Sequence, residues 1–143
     1  MSDQVYPEPT VGIFIFNQKR ELLLLQSHKW PGLYVVPGGH VELGERVEHA
    51  VVREAKEETG LEVRNLHFLC WQEFVHEVSF WKRRHFIFFD YACSTESTEV
   101  SLNDEAESFS WIDPDKALEL PIDSFTRVSL LKYLKTIHDK QIR

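Results

Sequence analysis

The segment Gly39-His-Val-Glu-Leu-Gly-Glu45-Arg-Val-Glu-His-Ala-Val-Val-Arg53-Glu54-Ala-Lys-Glu57-Glu58-Thr-Gly60-Leu61 governs the reading of this chain. It sets Glu54, Glu57 and Glu58 at i, i+3 and i+4, so a helix here gathers three carboxylates on one face. Like charges at that spacing repel, and helix stability alone gives no reason to choose them. A cation among them does. On a wheel of about 100° per residue, Val47, Ala50, Val51 and Ala55 form an apolar stripe. The three glutamates fall beside the Val47–Ala50 side of that stripe, whereas His49, Arg53 and Lys56 point the other way. A solvated charged surface would instead stand opposite the stripe. The face that begins as core thus continues as a carboxylate face. Oxygen ligands of this kind select hard cations, which indicates magnesium, with manganese as a substitute. Zinc is disfavoured, because the 7 histidines are scattered and no Cys/His group has ligand spacing.

The same segment resembles the signature of the Nudix hydrolases, G-x5-E-x7-R-E-U-x-E-E-x-G-U, where U is a bulky aliphatic residue. Gly39, Glu45, Arg53, Glu54, Glu57, Glu58, Gly60 and Leu61 fill it, and Ala55, small but apolar, is the departure. The resemblance implies an α/β fold: an α/β/α sandwich, with a mixed β-sheet between helices and the signature helix against one sheet face. It implies magnesium-dependent hydrolysis of a phosphoanhydride bond. By that resemblance Glu57 and Glu58 are the main metal ligands, Glu54 is a further ligand or the water-activating base, and the Gly39 carbonyl is an extra ligand. Arg53 and Glu45 are an orienting pair, since a guanidinium fork can hold a carboxylate by two parallel hydrogen bonds. The alternative for Glu45 is a plain charge at a helix N-terminus. Family members often carry another acidic residue before a late strand ending in Trp. Here that segment is Asn103-Asp-Glu105-Ala-Glu107-Ser-Phe-Ser-Trp111, which makes Glu105 the fourth ligand or base and Glu107 its competitor.

Length and composition bound what surrounds this segment. The 143 residues, 43% hydrophobic and 27% charged, suit a single domain over 1–143 with a real core. A net charge of −7 disfavours general nucleic-acid binding. Cys70 and Cys93 are too few for a disulfide framework. The first residues show neither a basic nor an apolar leader region, and the apolar runs Leu22–Leu25 and Phe86–Phe89 are strand-sized. The expectation is a cytoplasmic protein without membrane contact, compatible with a homodimer.

Periodicity predicts strands at Val11–Phe16, Glu21–Ser27, Tyr34–Val36, Leu66–Val78, His85–Cys93 and Phe109–Ile112. It predicts the signature helix from about Glu45 to Thr59, with Gly60 as its C-terminal cap. The Gly38-Gly39 pair after Val36-Pro37 permits unusual backbone or close approach. Asp113 and Pro114 start a further helix as N-cap and first residue. In the tail from Ser124 to about Ile142, Phe125, Val128, Leu131, Leu134 and Ile137 recur at intervals of three, as on a core-facing helix.

The signature implies a reaction and leaves the substrate open. No Pro lies in Leu69–His76, no Ser-Gln-Pro sequence occurs, and the next tyrosine is Tyr91, so family markers for ADP-ribose, NADH and dinucleoside polyphosphates are missing. What remains resembles the small pyrophosphohydrolases that turn a nucleoside triphosphate, a small-molecule partner, into monophosphate and pyrophosphate. Trp30, Trp71, Phe80 and Trp81 are candidates for stacking on a base. Lys82, Arg83 and Arg84 are candidates for the polyphosphate, with a solvated turn as the alternative. His40 and His85 are weaker candidates for the pocket. Two other readings stay open: hydrolysis of another nucleoside diphosphate derivative such as a nucleotide sugar, and a nucleotide-binding domain without catalysis.

Overall fold

The computed structural model describes residues 4–142. Seven strands form one mixed sheet: β1 (Glu8–Phe16), β2 (Leu22–Gln26), β3 (Tyr34–Val35), β4 (Gly38–His40), β5 (Arg64–Val75), β6 (His85–Ser94) and β7 (Ser108–Ile112). The order is β3-β2-β1-β6-β5, with β4 beside β1 and β7 beside β2. Only the central pair, β1 with β6, is parallel; the other pairs are antiparallel. Buried on both faces, β1 and β2 read as unbroken apolar runs instead of alternating ones.

Helix α1 (Val47–Thr59) covers one face, where Ala50, Val51 and Ala55 meet Val11, Ile13, Ile15, Leu23 and Leu25. The short α2 (Pro114–Ala117) and the long α3 (Ser124–Ile142) cover the other, where Ala117 and Leu130 meet Phe14, Phe16, Leu22 and Leu24. This is the α/β/α sandwich that the signature implied. No helix among the described residues is long and apolar enough to cross a membrane.

Several expected boundaries shift for physical reasons. Helix α1 starts at Val47, not Glu45, because Gly44 adopts φ 82° and the Glu45 N–H closes a turn on the Glu42 carbonyl. Its end is as expected: Gly60, at φ 75°, donates its N–H to the Lys56 carbonyl. Strand β5 stops at Val75, where His76 turns to φ 53°. Asp113 caps α2 as predicted, accepting the Asp115 N–H at 2.9 Å.

The tail stripe is a correction. Val128 and Leu131 are each 50% exposed, and among the described side chains of α3 the buried ones are Thr126, Ser129 and Leu130. A repeat of three falls about 60° short of a full turn at each step, so five such positions wind around the helix instead of sharing a face.

The glycine pair lies in β4 and serves close approach, not unusual φ. A Cβ on Gly38 would stand 2.3 Å from the Val11 carbonyl oxygen, and one on Gly39 would stand 2.2 Å from Cδ of Glu54. Side chains there would push β4 off β1 and off the signature helix.

Candidate active site

Helix α1 and the loop before β7 bring the carboxylates together. Oxygens of Glu54, Glu58 and Glu105 all lie within 4.8 Å of one another. Glu58 is 7% exposed, and its Oε2 accepts the Gly38 N–H at 3.0 Å. Glu54 packs against Gly39, with a side chain 12% exposed. Glu105 comes from the loop before β7, anchored by Ser27, whose hydroxyl donates to the Glu105 carbonyl at 2.8 Å. Lys29 stands 3.4 Å from Glu105. Glu107, the competitor, is exposed and lies outside this trio. Glu57 sits at the rim with a side chain 57% exposed, also outside the trio.

Arg53 ties the periphery together. Its Nε and one terminal nitrogen donate to the two Glu45 oxygens at 2.7 and 2.9 Å, the two-bond fork expected of this pair. The other terminal nitrogen donates to Glu54 at 2.9 Å and Glu57 at 3.1 Å, and the guanidinium also reaches the His40 carbonyl at 2.9 Å. The wheel sent Arg53 away from the glutamates; its long side chain folds back across the helix surface to meet them. These contacts hold the Glu45 carboxyl down at about 2 and raise the Arg53 guanidinium further above its ordinary value.

The inner carboxyls respond in the opposite way. Burial, reinforced by Glu105 and Glu54, pushes Glu58 up to about 8 against the Gly38 hydrogen bond. Burial likewise raises Glu54, more than Arg53 lowers it. Carboxyls crowded this way favour a cation or a proton between them.

A pocket of about 170 Å³ runs from Glu58, Glu105 and Lys29 toward the opposite sheet face. Trp30, Phe80, Phe86, Phe88 and Phe125 give it aromatic walls, and Asp90 and Asp123 lie at its depth. Of the stacking candidates, Trp30 and Phe80 line it, while Trp71 is 58% exposed on β5 and Trp81 receives Lys82 over its ring at 4.5 Å. Arg83 reaches His76 and Arg84 reaches Glu8, and Lys82, Arg83 and Arg84 are not among the residues lining the pocket. His40 borders the pocket but pairs with Glu8, and His85 lies outside the lining. Reading of the sequence missed Asp90, Asp123, Phe86, Phe88 and Phe125. One signal was present: Asp90 is a lone charge inside the apolar run His85–Cys93.

The NUDIX domain family profile matches residues 6–133. The chain belongs to the Nudix hydrolase family. It is 35% identical over 111 residues to the NAD-capped RNA hydrolase NudC of Pseudomonas aeruginosa, an alignment covering 76% of this chain and 37% of NudC. It therefore spans well under half the length of that relative. It is 27% identical over 107 residues to the nucleoside triphosphatase NudI of Escherichia coli, covering 71% of this chain and 76% of NudI. Among solved structures, the MutT NUDIX hydrolase of Burkholderia pseudomallei superposes with TM-score 0.75 at 27% identity, over 90% of this chain and 98% of that one. In this chain the Nudix signature occupies β4, the following turn and α1.

The raised carboxyls make a stability prediction. Glu58 and Asp90 reach about 8 and about 7 in the fold, against ordinary values of 4.5 and 3.8. Between those limits the folded chain holds protons that the unfolded chain has released, so stability falls as pH rises. In chelator-treated protein, urea unfolding should show a loss on the order of several kcal/mol from about pH 4 to about pH 8. A saturating divalent cation should remove the Glu58 part of that loss. A flat profile without metal would show that burial does not hold these carboxyls protonated.

Proposed function

We propose that the chain is a magnesium-dependent pyrophosphohydrolase that converts a nucleoside triphosphate into nucleoside monophosphate and pyrophosphate. The observation that carries this reading is the continuity of one pocket, with Glu58 and Glu105 of the carboxylate trio at one end, Glu54 beside them, and aromatic walls leading inward. Phosphates belong at the first end and a planar base at the second. The donor set fits hard divalent cations: it is all oxygen, crowded, and includes a carboxyl that burial forces up to about 8 when no cation is present. Glu54 and Glu58 would hold the ion or ions, with Glu57 at the rim and the Gly39 carbonyl as further ligands, and Glu105 beside them as the base. A bound magnesium supplies charge neutralisation of phosphate oxygens and acidifies water.

The chain's own groups do the rest. Arg53 fixes Glu54 and Glu45 in one geometry. Lys29, lining the pocket beside Glu105, faces the developing charge on the polyphosphate. Glu105, also on the lining, accepts the proton of the attacking water as its oxygen bonds to phosphorus. The bond to the departing pyrophosphate then breaks. A cytoplasmic small-molecule hydrolase formed by one domain accords with this reading.

A substrate panel tests it. Nucleoside triphosphates and nucleoside diphosphate derivatives are incubated with magnesium, then treated with either inorganic pyrophosphatase or alkaline phosphatase. The expected result is phosphate in the pyrophosphatase arm, dependent on magnesium. Signal from diphosphate derivatives alone would move the assignment toward the second substrate class, in keeping with the identity shared with NudC. Triphosphates silent with pyrophosphatase, together with phosphatase-resistant diphosphate derivatives silent with alkaline phosphatase, would overturn the enzymatic reading.

A further inference from the structure

Two buried aspartates lie at the depth of the pocket, and their surroundings differ. Asp123 is used up locally: Oδ1 accepts the N–H groups of Phe125 and Thr126 at 2.9 and 3.0 Å, and Oδ2 accepts the Thr126 hydroxyl. It caps the first turn of α3. Asp90, on β6, is 5% exposed, and among the described residues hydrogen bonds reach one of its oxygens. Oδ2 accepts the Ser129 hydroxyl, with the Gln72 amide at 3.4 Å. Gln72 donates to the Ser129 oxygen at 3.0 Å and to the Phe125 carbonyl at 2.8 Å, which leaves the Ser129 proton to point at Asp90.

Among the described residues, Oδ1 of Asp90 receives no hydrogen bond. It occupies the space that a side chain at residue 12 would fill, since a Cβ on Gly12 would stand 2.2 Å from it. Gly12 and Asp90 are register partners on β1 and β6, and both line the pocket. A carboxylate oxygen is thus held from behind, given room by a glycine, and presented between Phe86, Phe88 and Phe125. An unpaired carboxylate oxygen in such a place calls for a donor from the ligand.

We propose that Oδ1 of Asp90 reads the base edge and selects nucleobases that carry an exocyclic amino group over those with a carbonyl there. The inference rests on the reading of this pocket as a nucleotide site and adds the class of base. Asp90→Asn isolates it. The Ser129 and Gln72 donors keep the amide oxygen at the Oδ2 position, so the amide NH2 takes the place of Oδ1. The pocket atom changes from acceptor to donor with little change in shape.

The test is calorimetric binding of CMP and UMP to wild type and Asp90→Asn in chelator at pH 8.5, where the carboxyl is ionised. The two probes share sugar and phosphate; cytosine presents a 4-amino group and an unprotonated N3 where uracil presents a 4-carbonyl and an N3–H. Wild type is expected to bind CMP about tenfold or more tighter, as for a hydrogen bond to a charged acceptor. Asp90→Asn should bring the ratio to one or invert it. Equal affinities in wild type, binding of neither probe, or an unchanged ratio in the variant would each overturn the proposal. The wild-type ratio is decisive even if the variant does not fold. Binding needs no turnover, so failure here is separable from failure of the hydrolase reading, which the metal-dependent panel decides.

Discussion

Glu58→Gln should lower kcat for nucleoside triphosphate hydrolysis by about a thousandfold or more, while the chelator-treated variant unfolds at higher urea than wild type. The two effects come from one exchange. The glutamine carbonyl still accepts the Gly38 N–H, so β4 and α1 keep their contact. What disappears is a carboxyl that is 7% exposed and crowded by Glu54 and Glu105, a group that the fold tolerates at a cost. Removing the charge relieves the metal-free fold and takes away one of the proposed cation ligands. Opposite movements of activity and stability are the mark of a site strained for function. Activity within tenfold of wild type would show that Glu58 is not part of the reacting centre. An unchanged or lower urea midpoint would show that its burial is not strained.

Arg53→Ala should damage both properties together. Arg53 is the shared donor to Glu45, Glu54, Glu57 and the His40 carbonyl, so its loss leaves Glu54 largely buried and without its cation. Breaking a buried pair from one side costs roughly 3–5 kcal/mol, and the partial exposure of this cluster puts the expected loss at the lower end or below. A drop in kcat of about a hundredfold should accompany it, because Glu54 loses its fixed position and trio geometry loosens. Arg53→Lys is expected to recover little, since an ammonium cannot form the fork on Glu45. Steady-state kinetics and urea unfolding on both variants check this. A variant destabilised but with wild-type kcat would assign Arg53 to the scaffold alone.

The parts of this site that lie on one local element were legible in the sequence. The i, i+3, i+4 glutamates, the Gly60 cap and the Asp113 cap all follow from short-range geometry, and each is present. Even there, the wheel gave directions for Cα–Cβ bonds and not for the ends of long side chains, which is why Arg53 turned back unexpectedly. The difference between Glu57 at the rim and Glu58 within the trio depends on where β4 docks, a tertiary fact. The choice of Glu105 over Glu107 likewise depends on Ser27 and Lys29, from a distant turn. The pocket depth was not legible at all. Asp90, Gly12, Gln72 and Ser129 come from β6, β1, β5 and α3, and no local pattern announces their meeting.

The parallel pairing of β1 with β6 sets when this pocket can exist during synthesis. Residue 12 leaves the ribosome long before residue 90, and until then β1 has no partner on that side. The packing of α1 on β1 and β2 can form early, from neighbouring segments, but Tyr91 and Cys93 of that core wait for β6, and the far wall waits for β6 and then for Ser129 on α3. Closing so long a loop carries its entropic cost before any contact repays it, which slows folding. The interval leaves the apolar strands β1 and β2 without their cover, the condition in which chains aggregate or recruit chaperones. Refolding from urea should therefore be limited by joining the first strand to the sixth, with Glu54 and Glu58 brought beside β4 before Glu105 and the aromatic end of the pocket take their places.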